Sequence, residues 1–198
     1  MSSVTIIPRG WQATDIPDQT GKNFLITGGT SGLGKATAME LARAGAHVTI
    51  TARSATKGAA TVAEIASDRV DYKLLDLADL SSVRSFAKEF ATPIDTLILN
   101  AGVMATPFSL TKDGFELQMG TNHLGHFAFA GLIKNQIKDR LVVVSSFAHR
   151  MGSFGDNNIE TIRNMCLGIG KYQKWPVYGA SKLANLLFVA EVERLRIQ

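Results

Sequence analysis

Thr27-Gly28-Gly29-Thr30-Ser31-Gly32-Leu33-Gly34 is the stretch on which the reading of this chain turns. A short apolar run, Asn23-Phe24-Leu25-Ile26, leads into it. Beyond it Ala36, Met39, Leu41, Ala42 and Ala44 recur at helical spacing as far as Gly45. Strand, glycine turn and helix therefore follow one another. Glycines lack a Cβ, so such a turn lets the backbone approach a phosphate closely, and the amides and dipole of the following helix face the anion. The expectation is a nucleotide site.

Two nucleotide motifs overlap here. Gly29 to Lys35 fits G-x-x-x-x-G-K, the opening of a P-loop, but Ala36 stands where a Ser or Thr hydroxyl is needed to hold magnesium. Gly28, Gly32 and Gly34 instead form G-x-x-x-G-x-G, a variant of the dinucleotide fingerprint whose last glycine permits close helix-to-strand packing. On the second reading Gly28, Thr30, Ser31, Gly32, Leu33 and Gly34 are the turn's candidate cofactor contacts.

The 198 residues, 45% of them hydrophobic, suffice for one sizeable core. The formal charge of +4 arises from 21 basic and 17 acidic residues scattered without runs, which argues against a nucleic-acid partner. A single cysteine, Cys166, excludes an intrachain disulfide. His123 and His126 lack the further ligands a zinc site needs, so no metal is expected. A reducing, cytoplasmic setting follows as the default. Residues 1–20, with Pro8, Pro17 and charged side chains, read as an irregular arm rather than a signal peptide, with Trp11 on the surface of a domain spanning 21–198. No apolar stretch is long enough to span a bilayer.

Along that domain, strands are expected at 46–52, 70–75, 94–99 and 141–144, and helices at 56–66, 82–90, 115–137 and 178–197. Strict alternation of the two is the signature of a parallel sheet covered on both faces. Right-handed crossovers make it a doubly wound α/β sheet, a Rossmann fold, of strand order 3-2-1-4-5. Ligands in such a sheet bind beyond the carboxyl ends of the strands, and the turn, Arg53, Asp76, Leu77, Asn100, Ala101, Gly102 and Ser145-Ser146 all fall at that edge. Arg53 closes the second strand where the adenosine ribose lies. A basic residue there accommodates a 2′-phosphate, which favours NADP(H) over NAD(H). Asp76 could meet the adenine, imitate a P-loop metal ligand, or cap the helix that starts near Leu80.

Tyr178 and Lys182 stand four apart on a predicted helix and share a face. A free phenol, with pKa near ~10, exchanges protons poorly at neutral pH, but an adjacent ammonium favours the phenolate. Tyr178 is thereby a candidate general acid/base.

Taken together, the Thr27–Gly34 turn, Asn100-Ala101-Gly102, Asn122, Ser146 and Tyr178-Gly179-Ala180-Ser181-Lys182 resemble the short-chain dehydrogenase/reductase family in order and spacing. The texture at Asn122-His123-Leu124-Gly125-His126-Phe127 and Ser181-Lys182-Leu183-Ala184-Asn185 resembles its retinol-dehydrogenase-like and protochlorophyllide-reductase-like branch. The resemblance implies hydride transfer between a nicotinamide and a carbonyl or alcohol. It implies four roles. Tyr178 protonates the carbonyl oxygen, Ser146 hydrogen-bonds it, Lys182 holds the nicotinamide ribose and lowers the Tyr178 pKa, and Asn122 supports a water joined to Lys182. Ser145 is the decoy of the serine pair. Family members often form dimers through the helices holding Asn122 and Tyr178.

The family continues beyond this helix with two more strands and a substrate lid, whereas the sequence ends at Gln198. The apolar run Leu141–Val144 would then form a sheet edge that needs covering. Either the chain is a C-terminally truncated piece of a longer protein or another chain supplies the cover. A catalytically weak dinucleotide-binding module is the alternative to an enzyme, and a P-loop hydrolase a third. Phe147, Met151 and Trp175 point either to a hydrophobic substrate or to core packing.

Overall fold

The computed structural model describes residues 8–196. Five strands, β1 (Asn23–Ile26), β2 (His47–Ala52), β3 (Val70–Leu74), β4 (Ile94–Leu99) and β5 (Ile137–Val143), form one parallel sheet in the order β3-β2-β1-β4-β5. The doubly wound order expected from the alternation is the one found. Helices α1 (Gly32–Arg43), α2 (Ala55–Ile65) and α3 (Leu80–Glu89) make the first crossovers. Then come the single turn α4 (Leu117–Met119), a π-helical segment (Gly120–Leu124), α5 (Gly125–Leu132), α6 (Ile159–Cys166) and the long α7 (Lys174–Arg196).

Successive side chains of β1 serve opposite faces of the sheet. Leu25 joins Leu97, Leu99, Phe86, Phe90 and Phe129 in one core, while Phe24 and Ile26 join Val48, Ile50, Ala38 and Ala42 in the other. A strand buried on both faces is why its sequence runs apolar without alternation. Phe129 is fully enclosed, its ring edge-on to Phe86 at 5.1 Å between centroids, a burial that contributes about 2–3 kcal/mol. A third, smaller cluster of Met119, Ala180 and Ala184 fastens α7 to α4.

Several boundaries depart from expectation for local reasons. The single helix anticipated over 115–137 is split, because Gly125 packs against the Leu77 carbonyl, 2.3 Å from where a Cβ would stand, and the ladder slips into a π turn in which Gly125 N–H donates to Gly120 O. Helicity ends near Leu132, and β5 begins at Ile137, four residues before the expected Leu141. Lys138, Asp139 and Arg140 are exposed on that edge strand, charges of the kind that blunt a sheet edge. Asp79, not Asp76, caps α3 by accepting from the N–H groups of Ser81 and Ser82. Asp76 instead accepts from Ala78 N–H at 2.9 Å and shapes the loop. The last helix starts at Lys174, with Pro176 in its first turn where the missing N–H costs nothing. Its expected end at Ile197 lies outside the described residues. Helix α6, capped by Asn158, lies between the fifth strand and the last helix, where no element was expected. Trp11 is half exposed.

Candidate active site

The strand order reverses between β1 and β4, and the crevice this opens at their carboxyl ends holds two adjoining cavities. Gly28, Thr30, Ser31, Arg53, Asp76, Leu77 and Ala101 line the first. Leu33, Ser145, Ser146, Tyr178 and Lys182 line the second. Asn100, Gly102 and Val103 belong to both, so the two form one cleft with the β4 loop as its floor.

The remaining expected residues, Gly32, Gly34 and Asn122, line neither cavity. Gly34 is a packing glycine: a Cβ there would lie 2.6 Å from Gly28 O and 2.5 Å from Asn100 Nδ2. Gly32 opens α1 at φ +53° with nothing within 4 Å of its missing side chain. Ser31 occupies the N-cap of α1, yet its hydroxyl makes no cap hydrogen bond. The first-turn amides of α1 are thus left without the side-chain partner helices usually supply, which fits a bound anion. The residues present therefore fit a dinucleotide.

The P-loop reading is not sustained. Lys35, which would have to reach a phosphate, instead forms an ion pair with Glu64 on α2.

At the other end, α7 presents Tyr178 and Lys182 on one face, the Lys182 Nζ 5.8 Å from the centre of the Tyr178 ring. Lys182 is almost wholly buried, and burial lowers its pKa from the ordinary lysine value. Its Nζ donates to Val144 O at 3.3 Å, a carbonyl that also accepts from Asn185 Nδ2. The serine pair divides its work. Ser145 Oγ donates to Lys182 O at 2.8 Å and ties β5 to α7, whereas Ser146 Oγ accepts from Ala148 N–H at 3.2 Å, keeping its own hydrogen for another acceptor.

Asn122, fully buried in the π segment, lines neither cavity. Its Nδ2 donates to Val103 O and to Ser181 Oγ, and the Ser181 hydroxyl donates to Tyr178 O. Gly102 makes room for this group, since a Cβ there would stand 3.2 Å from Asn122 Oδ1 and 3.4 Å from Lys182 Nζ.

Thr27, Val103, Thr121 and His126 gather at the site without having been singled out for it. Thr27 heads the decisive stretch, but nothing in a threonine's type announces a buried hub. His126 enters the sequence reading as an unsupported zinc ligand and as part of the Asn122–Phe127 texture, neither of which points to a contact with Thr27. Phe147, Met151 and Trp175 are exposed at 74%, 56% and 45%, so core packing does not explain them.

Residues 22–158 match the sequence profile of the short chain dehydrogenase family. Retinol dehydrogenase 12 of Mus musculus is 41% identical over 185 residues, covering 88% of this chain and 56% of that protein. Retinol dehydrogenase 11 of Homo sapiens is 40% identical over the same length and coverage. The chain thus spans little more than half the length of these curated relatives. A crystal structure of an uncharacterized protein from Mycobacterium paratuberculosis superposes with a TM-score of 0.85 at 48% identity, covering 93% of this chain and 66% of the other. Since the profile runs through both the glycine turn and Ser146, this chain belongs to the short chain dehydrogenase family.

Proposed function

We propose that the chain is the catalytic dinucleotide-binding part of an NADP(H)-dependent oxidoreductase that interconverts a hydrophobic carbonyl compound and its alcohol. The observation that carries this reading is the single cleft with Arg53 at one end and Ser146, Tyr178 and Lys182 at the other. Arg53 makes no ion pair among the described residues and borders the adenosine-side cavity, in keeping with a 2′-phosphate partner and thus with NADP(H) over NAD(H). When bound, the nicotinamide supplies or accepts the hydride at the substrate carbon.

The chain's own groups orient and move the proton. Tyr178 delivers its phenolic hydrogen to the carbonyl oxygen during reduction, and Ser146 donates a second hydrogen bond to the same oxygen. The Lys182 ammonium stabilises the phenolate that remains. Asn122 acts from behind the cleft, fixing Val103 and, through Ser181, the first turns of α7. Exposed Met104 lines the cleft beside Tyr178 and Ser146 and offers apolar surface there, which supports a hydrophobic substrate.

No helix among the described residues is long and apolar enough to cross a membrane. The free Cys166 is in keeping with a cytoplasmic setting. Exposed Phe127 on α5 and Leu187 on α7 are in keeping with a homodimer formed through these helices.

Titration of NADPH and NADH into the purified chain, followed by energy transfer from tryptophan, tests the reading. NADPH is expected to bind at least about tenfold more tightly than NADH, with Arg53→Ala removing that preference. A folded chain that binds neither cofactor, or an Arg53→Ala variant with the preference intact, would contradict it.

A further inference from the structure

Thr27 Oγ1 is surrounded by hydrogen-bonding groups whose roles can be settled by counting. It accepts from the main-chain N–H of Asn100 at 2.9 Å and of Ala101 at 3.1 Å. His126 Nε2 lies 2.8 Å away, and Ile98 O is more distant at 3.4 Å. A hydroxyl has two lone pairs and one hydrogen. The two amides face both lone pairs, the Asn100 N–H being shared with Ile98 O at 3.1 Å, and His126 Nε2 is the nearer of the two acceptors open to the hydrogen, which assigns Nε2 as unprotonated. Across the ring, Nδ1 lies 3.0 Å from the main-chain O of Asn122, a group that can only accept. The ring proton is therefore on Nδ1.

That tautomer satisfies every polar atom of the set, whereas an imidazolium would aim Nε2–H at a hydroxyl whose lone pairs are occupied. The ring is enclosed, 1% exposed. Burial, with Lys182 and His123 the titratable groups that face it, holds His126 far below the ordinary histidine pKa, at about 4.

The ring bridges the two halves of the machinery. On the Thr27 side are the amides of Asn100 and Ala101, which floor the cleft, and Asn100 Nδ2 in turn donates to Thr27 O and Gly28 O. On the other side is the π segment that carries Asn122, a kind of helix defect often found at functional sites. We propose that neutral His126 is the positioning residue that locks the dinucleotide turn and the cleft floor to the Asn122 segment, so that cofactor seat and proton-transfer groups share one register. The proposal rests on the function proposed above. Its only signal in the sequence is a second histidine one helical turn after Asn122.

Nitrogen-15 NMR of the full chain labelled at histidine, with the His126 signals assigned by their loss in His126→Gln, reads the tautomer without any cofactor. The expected result is a proton on Nδ1 and a neutral ring from about pH 7.5 down to about pH 5. An Nε2–H form, or titration near the ordinary value, overturns the proposal. NADPH titration then reads the positioning. His126→Phe fills the volume and makes neither bond, and is expected to bind NADPH about tenfold more weakly, with His126→Gln recovering part of the loss through an amide that reaches one partner. Should the Phe variant not fold, a loss of about threefold in the Gln variant is the expected result. Variants that are folded and bind NADPH like the wild type overturn the positioning role and leave the proposed function standing. A wild-type chain that binds neither NADPH nor NADH overturns the function, and the positioning role with it.

Discussion

The side chain of Asn122 pairs with the backbone of Val103 as a neighbouring strand would. Its Oδ1 accepts the Val103 N–H at 2.8 Å, and its Nδ2 donates to the Val103 carbonyl at 2.9 Å. The loop beyond β4 is thereby held at a fixed height beneath the cleft.

Asn122→Leu keeps the volume and deletes both bonds, leaving the polar groups of Val103 and Ser181 without their partner. The expected cost is about 2–3 kcal/mol, read as a lowered urea midpoint. An unchanged midpoint would mean that water replaces the side chain.

The last two glycines of the motif should respond differently to one added methyl. Gly34→Ala drives a Cβ against Gly28 O and Asn100 Nδ2 and should destabilise by about 2 kcal/mol or more. Gly32→Ala meets open space and only the left-handed backbone penalty, about 1 kcal/mol. Parallel urea melts compare them, and equal losses would refute the assignment of Gly34 to packing.

Acid should weaken the fold earlier than its carboxylates alone would require. His126 binds its proton at about 4 when folded, against an ordinary 6.5. Between those values the unfolded chain holds more protons, so stability falls as pH drops from 6.5 towards 4, by an amount on the order of 3 kcal/mol. His123, also lowered by burial, acts in the same direction. Buried Glu116, raised by its burial, acts in the opposite one. The difference in urea midpoint between wild type and His126→Gln, measured at pH 7 and again near pH ~4.5, isolates the histidine; a gap that does not change with pH would show that it does not contribute.

Glu116 should be better neutral. Its Oε2 accepts the Met119 N–H at 2.7 Å, while Oε1 is buried without a partner. Burial raises its pKa, so the penalty is present at high pH and vanishes as the carboxyl is protonated. Glu116→Gln keeps the acceptor and removes the charge, with an expected gain of about 1 kcal/mol at pH ~8 that shrinks towards pH ~4.5. Thermal melts at the two pH values check the trend, and a loss at pH ~8 would contradict it.

The glycine turn, the order of the strands, the position of Arg53, Asn100 and Ser146 at strand ends on one edge, and the shared helix face of Tyr178 and Lys182 were legible because they rest on local signals. A glycine announces close backbone approach, an apolar run announces a strand buried on both faces, and alternation of strand and helix leaves few topologies open. Caps and boundaries were less legible. Asp76 and Asp79 are equivalent in type, and only the path of the chain makes Asp79 the cap and gives Asp76 to the loop. The break in the 115–137 helix depended on the Leu77 carbonyl, which no helical periodicity can register.

The amino-acid sequence by itself determined that this chain is a doubly wound fold with a glycine turn after its first strand and with Tyr178 and Lys182 on one helix face, since residue type and spacing are enough to state each of those features. Only the tertiary structure decided how the halves are joined. Lys35 was a phosphate ligand on one reading and proved to be the partner of Glu64. Ser145 and Ser146, adjacent and alike, face a helix carbonyl and the cleft respectively. His126 meets Thr27 from 99 residues away. Hydrogen bonds act over about 3 Å whatever the separation along the chain, so the partner that gives a polar residue its role is chosen by packing.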